Sequence, residues 1–102
     1  MKHGYVYILT NERCGTLYIG VTSDPLRRDH QHKHGLLEGF SKKYNLKYVV
    51  HLEVFPSMAD AIAREKQLKR WHRDWKINLI NEHNPEWKDL SLEWMDAETS
   101  SA

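Results

Sequence analysis

The sequence has almost no cysteine: the 102 residues include only Cys14, which we expect in a turn. A single cysteine excludes an internal disulfide and a cysteine-based zinc cage. Long apolar runs are also missing, so nothing in the sequence predicts a membrane-spanning helix. The first residues lack the apolar core of a signal peptide. From these absences we expect a cytoplasmic protein that makes no contact with a membrane.

The chain as a whole lacks an excess of positive or negative charge: it has 15 lysines and arginines and 14 acidic residues, a net charge of +1. The charges are nevertheless segregated along the chain. Residues 27–76 carry twelve basic residues against six acids, a charge of +6, whereas residues 77–102 carry one against six, a charge of −5. The middle of the chain is therefore a candidate polyanion-binding surface. The alternative is a pair of solvated helices with ordinary charges.

Length and composition predict one globular unit, because 102 residues leave no room for a second core. Hydrophobic residues make up 40% of the chain and charged residues 28%, which is typical of globular domains. We expect a single domain over residues 1–95 and a frayed tail over residues 96–102.

Two β-branched and aromatic runs, residues 5–10 and 17–22, predict an antiparallel hairpin. Alternation along each strand places Tyr7 on one face of the first strand and Tyr18 on one face of the second. The two tyrosines are then candidates for cross-strand neighbours on a shared face, although tyrosines that simply pack a sheet are common. Gly20 inside the second strand indicates a bulge or a close approach to the backbone.

The rest of the pattern predicts helices and one further strand. Asp24-Pro25 begins a helix over residues 25–34, and a third strand follows over residues 46–55. Ser57 begins a helix that runs to about residue 72, and a short helix covers residues 74–81. The fold class is α+β: a small three-stranded antiparallel sheet flanked by helices in the order β-β-α-β-α-α.

One residue breaks the apolar stripe of the helix after Ser57. Glu65 lies three residues after Ile62 and three before Leu68, so it falls on the face that should contact the sheet. A carboxylate there is costly to bury unless it is paired or binds a metal. The alternative is a glutamate at the rim, bridged to an arginine.

These residues together resemble the GIY-YIG nuclease superfamily over residues 5–81, and specifically its small stand-alone bacterial members. Tyr5-Val6-Tyr7 stands at the first motif, where only the last tyrosine matches, and Tyr18-Ile19-Gly20 is a literal match to the second. Arg28, His32 and the Glu65-Lys66-Gln67-Leu68-Lys69 pattern follow at fitting spacing. The asparagine that many members carry after the glutamate helix has two candidates, Asn78 and Asn81.

The resemblance implies a metal-dependent DNA endonuclease that hydrolyses phosphodiester bonds, with branched or damaged DNA as a candidate substrate and a role in DNA repair or recombination. Glu65 would hold Mg²⁺ or Mn²⁺, and no small-molecule cofactor is expected. Arg28 would bind the phosphate, and His32 would relay a proton or hold the phosphate. Tyr7 and Tyr18 would jointly position and deprotonate water. Gly20 is structural.

Basic helices and a basic, aromatic loop are the expected contacts with flanking phosphates and bases. The candidate nucleic-acid-binding residues are Arg27, Lys33, Lys42, Lys43, Tyr44, Lys69 and Arg73. The first alternative to a nuclease is a DNA-binding module of the same fold with little or no catalysis. The second is a protein-interaction domain that uses Trp87 or Trp94. We expect a monomer or a weak homodimer.

Overall fold

The computed structural model describes residues 3–34 and 43–92, which form an α+β fold with an antiparallel sheet. The elements in chain order are β1 (Gly4–Thr10), β2 (Leu17–Thr22), α1 (Pro25–Lys33), β3 (Tyr48–Phe55), α2 (Met58–Arg70) and α3 (Arg73–His83). This order confirms the predicted β-β-α-β-α-α arrangement. Within the described residues, no helix is both long and apolar enough to span a membrane.

The sheet has the strand order β2-β1-β3, so β1 is central and β2 is an edge strand. In the register of β1 and β2, Tyr7 pairs with Gly20 and Leu9 pairs with Tyr18. Residues paired across antiparallel strands point to the same face of the sheet, so Tyr7 and Tyr18 share a face as diagonal neighbours. The predicted shared face is confirmed, and the two tyrosines are offset by one pair.

Each face of the sheet carries its own buried cluster. One cluster joins the sheet to α2 and α3 and consists of Val6, Ile8, Ile19, Val50, Ala61, Leu68, Ile80 and Trp87. The cluster on the opposite face consists of Tyr7, Leu9, Leu46 and Val49. Helix α1 lies on this second face, because its residues line a cleft together with Tyr7 and Val49. The central strand is therefore covered on both sides.

Capping residues begin the first two helices as the sequence predicts. The Asp24 carboxylate accepts a hydrogen bond from the Arg27 N–H at 3.1 Å, and the Ser57 hydroxyl accepts one from Asp60 at 3.3 Å. The boundaries differ from expectation by up to two residues: β3 begins at residue 48, and α2 ends at residue 70. On α2, Ile62 is 38% exposed, so its predicted place on the buried stripe is wrong.

The segment 84–92 packs along the outer edge of β3. The Leu90 N–H donates to the Val49 carbonyl at 2.8 Å, and the Asn84 side-chain amide donates to the Val50 carbonyl at 3.1 Å. Trp87 is only 8% exposed and its indole N–H donates to Asn81 at 2.7 Å. Trp87 is thus a core residue, which argues against its use in the alternative protein-interaction interface. Trp94 and the predicted frayed tail lie outside the described residues.

Candidate active site

The centre of the candidate site is the contact between Tyr7 of β1 and His32 of α1. The Tyr7 hydroxyl lies 3.4 Å from Nε2 of His32, and the two rings meet edge to face with centroids 5.8 Å apart. Both residues are buried, at 5% and 6% exposure. The Tyr18 ring also lies close to the imidazole, with centroids 6.2 Å apart. Three residues of the predicted site therefore form one aromatic cluster.

Burial controls the protonation of this cluster. Desolvation raises the pKa of Tyr7 well above its ordinary value, and the charges of Tyr18 and Glu65 add to the rise while Arg28 opposes it. Desolvation, assisted by the Arg28 charge, lowers the pKa of His32 to about 4. Near pH 7 the tyrosine therefore keeps its proton and the imidazole is neutral. The hydroxyl can then donate its hydrogen bond to Nε2 of His32.

Gly20 makes room for the Tyr7 ring. A Cβ at position 20 would lie 2.8 Å from Cε2 of Tyr7 and would overlap Cζ and the hydroxyl oxygen. The close approach that the sequence indicated is therefore made by Tyr7 itself, from the paired position on β1. Any larger residue would push the ring away from His32.

Arg28 joins the cluster from α1, where its side chain lines the same cleft as Tyr7 and His32. Among residues 3–34 and 43–92, no carboxylate lies within ion-pair distance of its guanidinium. A half-buried, planar cation without an acidic partner is well suited to bind the oxygens of a phosphate.

Glu65 lies on α2, which packs against the other face of the sheet, and its charge helps to raise the pKa of the Tyr7 hydroxyl. Its side chain is 15% exposed and its carboxylate pairs with Nζ of Lys69 at 3.3 Å. The described residues contain no cluster of three or more histidine, cysteine, aspartate or glutamate side chains that could hold a metal. A cation at Glu65 would thus have at most two such ligands from the described residues, which fits Mg²⁺ completed by water and phosphate oxygens.

The predicted nucleic-acid contacts separate into two groups. Arg27 and Lys69 line open grooves, while the Lys43 ammonium lies 5.4 Å from the ring centroid of the exposed Tyr44. Arg73 instead donates to the backbone carbonyls of the turn between β1 and β2. Lys42 lies outside the described residues. The charges predicted to face DNA are therefore partly used inside the protein.

Lys33 is the clearest case of an internal role. Its ammonium pairs with Asp29 at 2.7 Å and with Asp89 at 2.9 Å, and it donates to the Lys47 carbonyl at 2.8 Å and the Ser91 hydroxyl at 3.0 Å. We call this group of side chains the Lys33 cluster. The Ser91 hydroxyl and the Val49 N–H also donate to Asp89, so hydrogen bonds hold the pKa of this carboxyl low against the effect of burial. The cluster ties α1 to the segment 84–92.

Sequence reasoning missed Lys76, which lines a groove together with Tyr18 and Lys69. Only tertiary packing brings this lysine of α3 close to residues of β2, and no local pattern marks it. The two candidates for the family's asparagine differ in their surroundings. Asn81 accepts the indole hydrogen bond of Trp87, whereas Asn78 is exposed.

Comparison with known proteins agrees with this geometry. The model of the GIY-YIG catalytic domain matches residues 3–78. The chain is 36% identical over 96 residues to the UPF0213 protein of Syntrophus aciditrophicus, an alignment that covers 84% of this chain and 98% of that one. It is 32% identical to a UPF0213 protein of Staphylococcus saprophyticus, with 79% and 96% covered.

A solved structure has the same fold. The solution NMR structure of the UPF0213 protein BH0048 from Bacillus halodurans superimposes with a TM-score of 0.52 at 27% identity, covering 85% of this chain and 92% of the other. The family model, the relatives and the fold agree with one another. The chain belongs to the GIY-YIG catalytic domain family, a family of nucleases, and is similar to its small stand-alone UPF0213 members.

Proposed function

We propose that the protein is a metal-dependent endonuclease that hydrolyses phosphodiester bonds in DNA. The observation that carries the proposal is the convergence of Tyr7, His32 and Arg28 on one cleft. Tyr18 borders this cluster, and the charge of Glu65 acts on the Tyr7 hydroxyl. Phosphodiester hydrolysis needs a site for the phosphate charge, a proton acceptor and a place for a metal. This set of side chains offers all three.

In this proposal Arg28 binds the nonbridging oxygens of the scissile phosphate. Its guanidinium has no ion-pair partner in the described part of the chain, and it also borders an open groove of about 310 Å³ beside the cleft. A planar guanidinium can donate two parallel hydrogen bonds to a phosphate. Negative charge that develops on the phosphorus oxygens is then stabilised where the dielectric is low.

The neutral imidazole of His32 is the proton acceptor that the geometry favours, and a phosphate bound at Arg28 would offset the positive charge that, with burial, holds the pKa of His32 at about 4. The Tyr7 hydroxyl donates to Nε2, so a water that gives its proton to the Tyr7 oxygen can pass a proton on to His32. Tyr7 alone is a poor base near pH 7, because burial raises its pKa and so keeps the hydroxyl protonated. Tyr18, whose ring also lies close to His32, would help to hold the water. Gly20 would keep the Tyr7 ring in place.

Glu65 would hold the metal, for which we propose Mg²⁺ or Mn²⁺. When bound, such an ion stabilises the charge on the leaving oxygen. The Lys69 ammonium lies 3.3 Å from Glu65 and would have to yield its place to the ion. Branched or damaged DNA is the substrate we propose to test first, in DNA repair or recombination. We propose the cytoplasm as the place of action, since the similar UPF0213 proteins are bacterial.

The experiment is a cleavage assay on plasmid, single-stranded and branched DNA with Mg²⁺, Mn²⁺ or EDTA. Arg28→Ala and Glu65→Gln are compared with the wild type and with Lys88→Met, which removes one exposed cation outside the site. We expect metal-dependent cutting that falls at least ~10²-fold in the two site variants and is unchanged in Lys88→Met. Cutting that survives both site substitutions would overturn the assignment. DNA binding without cutting by the wild type would favour the non-catalytic binding module.

A further inference from the structure

The edge strand β2 has an open groove at each end. One groove, of about 310 Å³, lies at the C-terminal end of the strand and is bordered by Thr22, Asp24, Arg27, Arg28 and Gln31. The other, of about 320 Å³, lies at the N-terminal half and is bordered by Leu17, Tyr18, Ile19, Lys69 and Lys76. We call them the Arg27 groove and the Lys76 groove.

Both grooves adjoin the candidate active site. Arg28 borders the Arg27 groove and also the cleft that holds Tyr7 and His32. Tyr18 borders the Lys76 groove and lies against His32. A chain that passes along β2 from one groove to the other would therefore run beside Tyr18 and Arg28 of the candidate site.

Cations without acidic partners lie in both grooves. Within residues 3–34 and 43–92, no ion pair involves Arg27, Arg28 or Lys76, whereas Lys33, Arg64 and Lys88 are all paired. The acid in the Arg27 groove, Asp24, uses its carboxylate to cap α1. The Lys76 groove holds two lysines, of which Lys69 pairs with Glu65. Unpaired cations at both ends of the site are suited to phosphates.

We propose that one DNA strand lies along the edge of β2, with the phosphates on one side of the scissile bond in the Arg27 groove and those on the other side in the Lys76 groove. This rests on the proposed endonuclease function and adds Lys76 as a residue that binds the substrate. Six strand residues span about 20 Å. For a single strand that keeps the stacking of a duplex, at about 3.4 Å per nucleotide, the track holds about six nucleotides.

The test measures DNA binding by fluorescence anisotropy in EDTA, so that it does not depend on cleavage. The probes are fluorescein-labelled single strands of 3 to 12 nucleotides. For the wild type, affinity should rise with length and level off near ~6 nucleotides. Lys76→Met and Arg27→Met should each weaken binding of the 12-mer about 3- to 10-fold. Each should also reduce the slope of the logarithm of the binding constant against the logarithm of the salt concentration by about 0.7, and the double variant should reduce it by about twice as much. Lys88→Met is the matched control and should bind as the wild type does.

Cleavage assays separate this inference from the proposed function. Lys76→Met should raise KM with kcat within twofold, because a phosphate contact away from the reacting atoms contributes equally to ground and transition states. If Lys76→Met binds and cuts like Lys88→Met, the track is wrong although the endonuclease assignment stands. If the wild type binds as expected but never cuts, the track stands and the endonuclease fails. If the wild type binds no DNA, both fail.

Discussion

The ring of Tyr7 lies on the backbone of Gly20, its paired residue across the hairpin, in the space that a side chain would fill. The same ring presents its hydroxyl to Nε2 of His32 at 3.4 Å. The glycine of the Tyr18-Ile19-Gly20 motif therefore leaves the space that the Tyr7 ring occupies on the adjacent strand. Its absent side chain determines where the Tyr7 hydroxyl sits relative to α1.

Substituting Gly20 with alanine should test this relationship through a double-mutant cycle. In the wild-type background, Gly20→Ala should lower the free energy of unfolding by about 1–3 kcal/mol, because the new methyl group overlaps the Tyr7 ring. In a Tyr7→Ala background most of that cost should disappear, since the clashing atoms are gone. Urea unfolding of the four proteins provides the measurement. An equal cost in both backgrounds would mean that something other than Tyr7 requires the glycine.

Ultraviolet titration should show that Tyr7 stays protonated at a pH where ordinary tyrosines ionise. The chain has five tyrosines, and burial raises the pKa of Tyr7 well above the reference value of ~10. Comparison of the wild type with Tyr7→Phe, up to the pH at which the fold is lost, should show no phenolate from Tyr7 near pH 10. Arg28→Ala should delay its ionisation further, because the Arg28 charge opposes the rise. A Tyr7 signal that titrates below pH 10 would contradict the buried, protonated hydroxyl.

Stability should fall with acid as His32 becomes charged in the unfolded chain. The folded pKa of about 4 lies below the ordinary value of 6.5, so the unfolded state binds the proton more readily between these pH values. The contribution of neutral, buried His32 to the free energy of unfolding is fully present above pH 6.5. As the pH falls towards 4 this contribution is lost, up to about 3 kcal/mol. Urea unfolding across this range should give a steeper loss in the wild type than in His32→Gln. Parallel curves would show that His32 is not buried neutral.

The low pKa of the Glu53 carboxyl does not obscure the measurement of the His32 contribution. Burial would raise the pKa of Glu53, but hydrogen bonds from His51 and Arg64 lower it to about 2. Its contribution is lost only as the pH falls from about 4.5 towards 2, below most of the His32 range.

Removing the ammonium of Lys33 should be among the most damaging single changes in the described residues. Lys33→Met leaves the nearly buried Asp29 and Asp89 carboxylates without their cation, which should cost about 3–5 kcal/mol. Lys88→Met removes a lysine whose pair is about 70% exposed on both sides, and should change stability by less than ~1 kcal/mol. Thermal unfolding of both variants gives the comparison. Similar small effects would show that the Lys33 cluster is weak.

The element order followed from the sequence because local signals agreed. Alternating β-branched residues predicted the strands, and Asp24-Pro25 and Ser57 predicted two helix starts that the capping hydrogen bonds confirm. The anomaly at Glu65 could also be found locally, because one carboxylate interrupts an otherwise apolar stripe. Its 15% exposure agrees with that interpretation.

Local sequence patterns could not predict the contacts between distant parts of the chain. Lys33 and Lys76 both looked like ordinary basic residues on helices, yet one is enclosed by a segment that is 58 residues away and the other faces the open groove beside Tyr18. The role of Gly20 depended on the strand register, which alternation alone does not determine. Side-chain direction at these positions is a property of tertiary packing.

The Lys33 cluster also bears on where this protein can be cut or joined to another. The matched catalytic domain ends at residue 78, but Asp89 and Ser91 anchor the helix that carries Arg28 and His32. Trp87 fills the core beneath the opposite face of the sheet. A shortened chain designed on the family boundary would keep every motif residue and still lose the support for two of them. Tags, fusion partners and protease sites should therefore leave residues 84–92 uninterrupted.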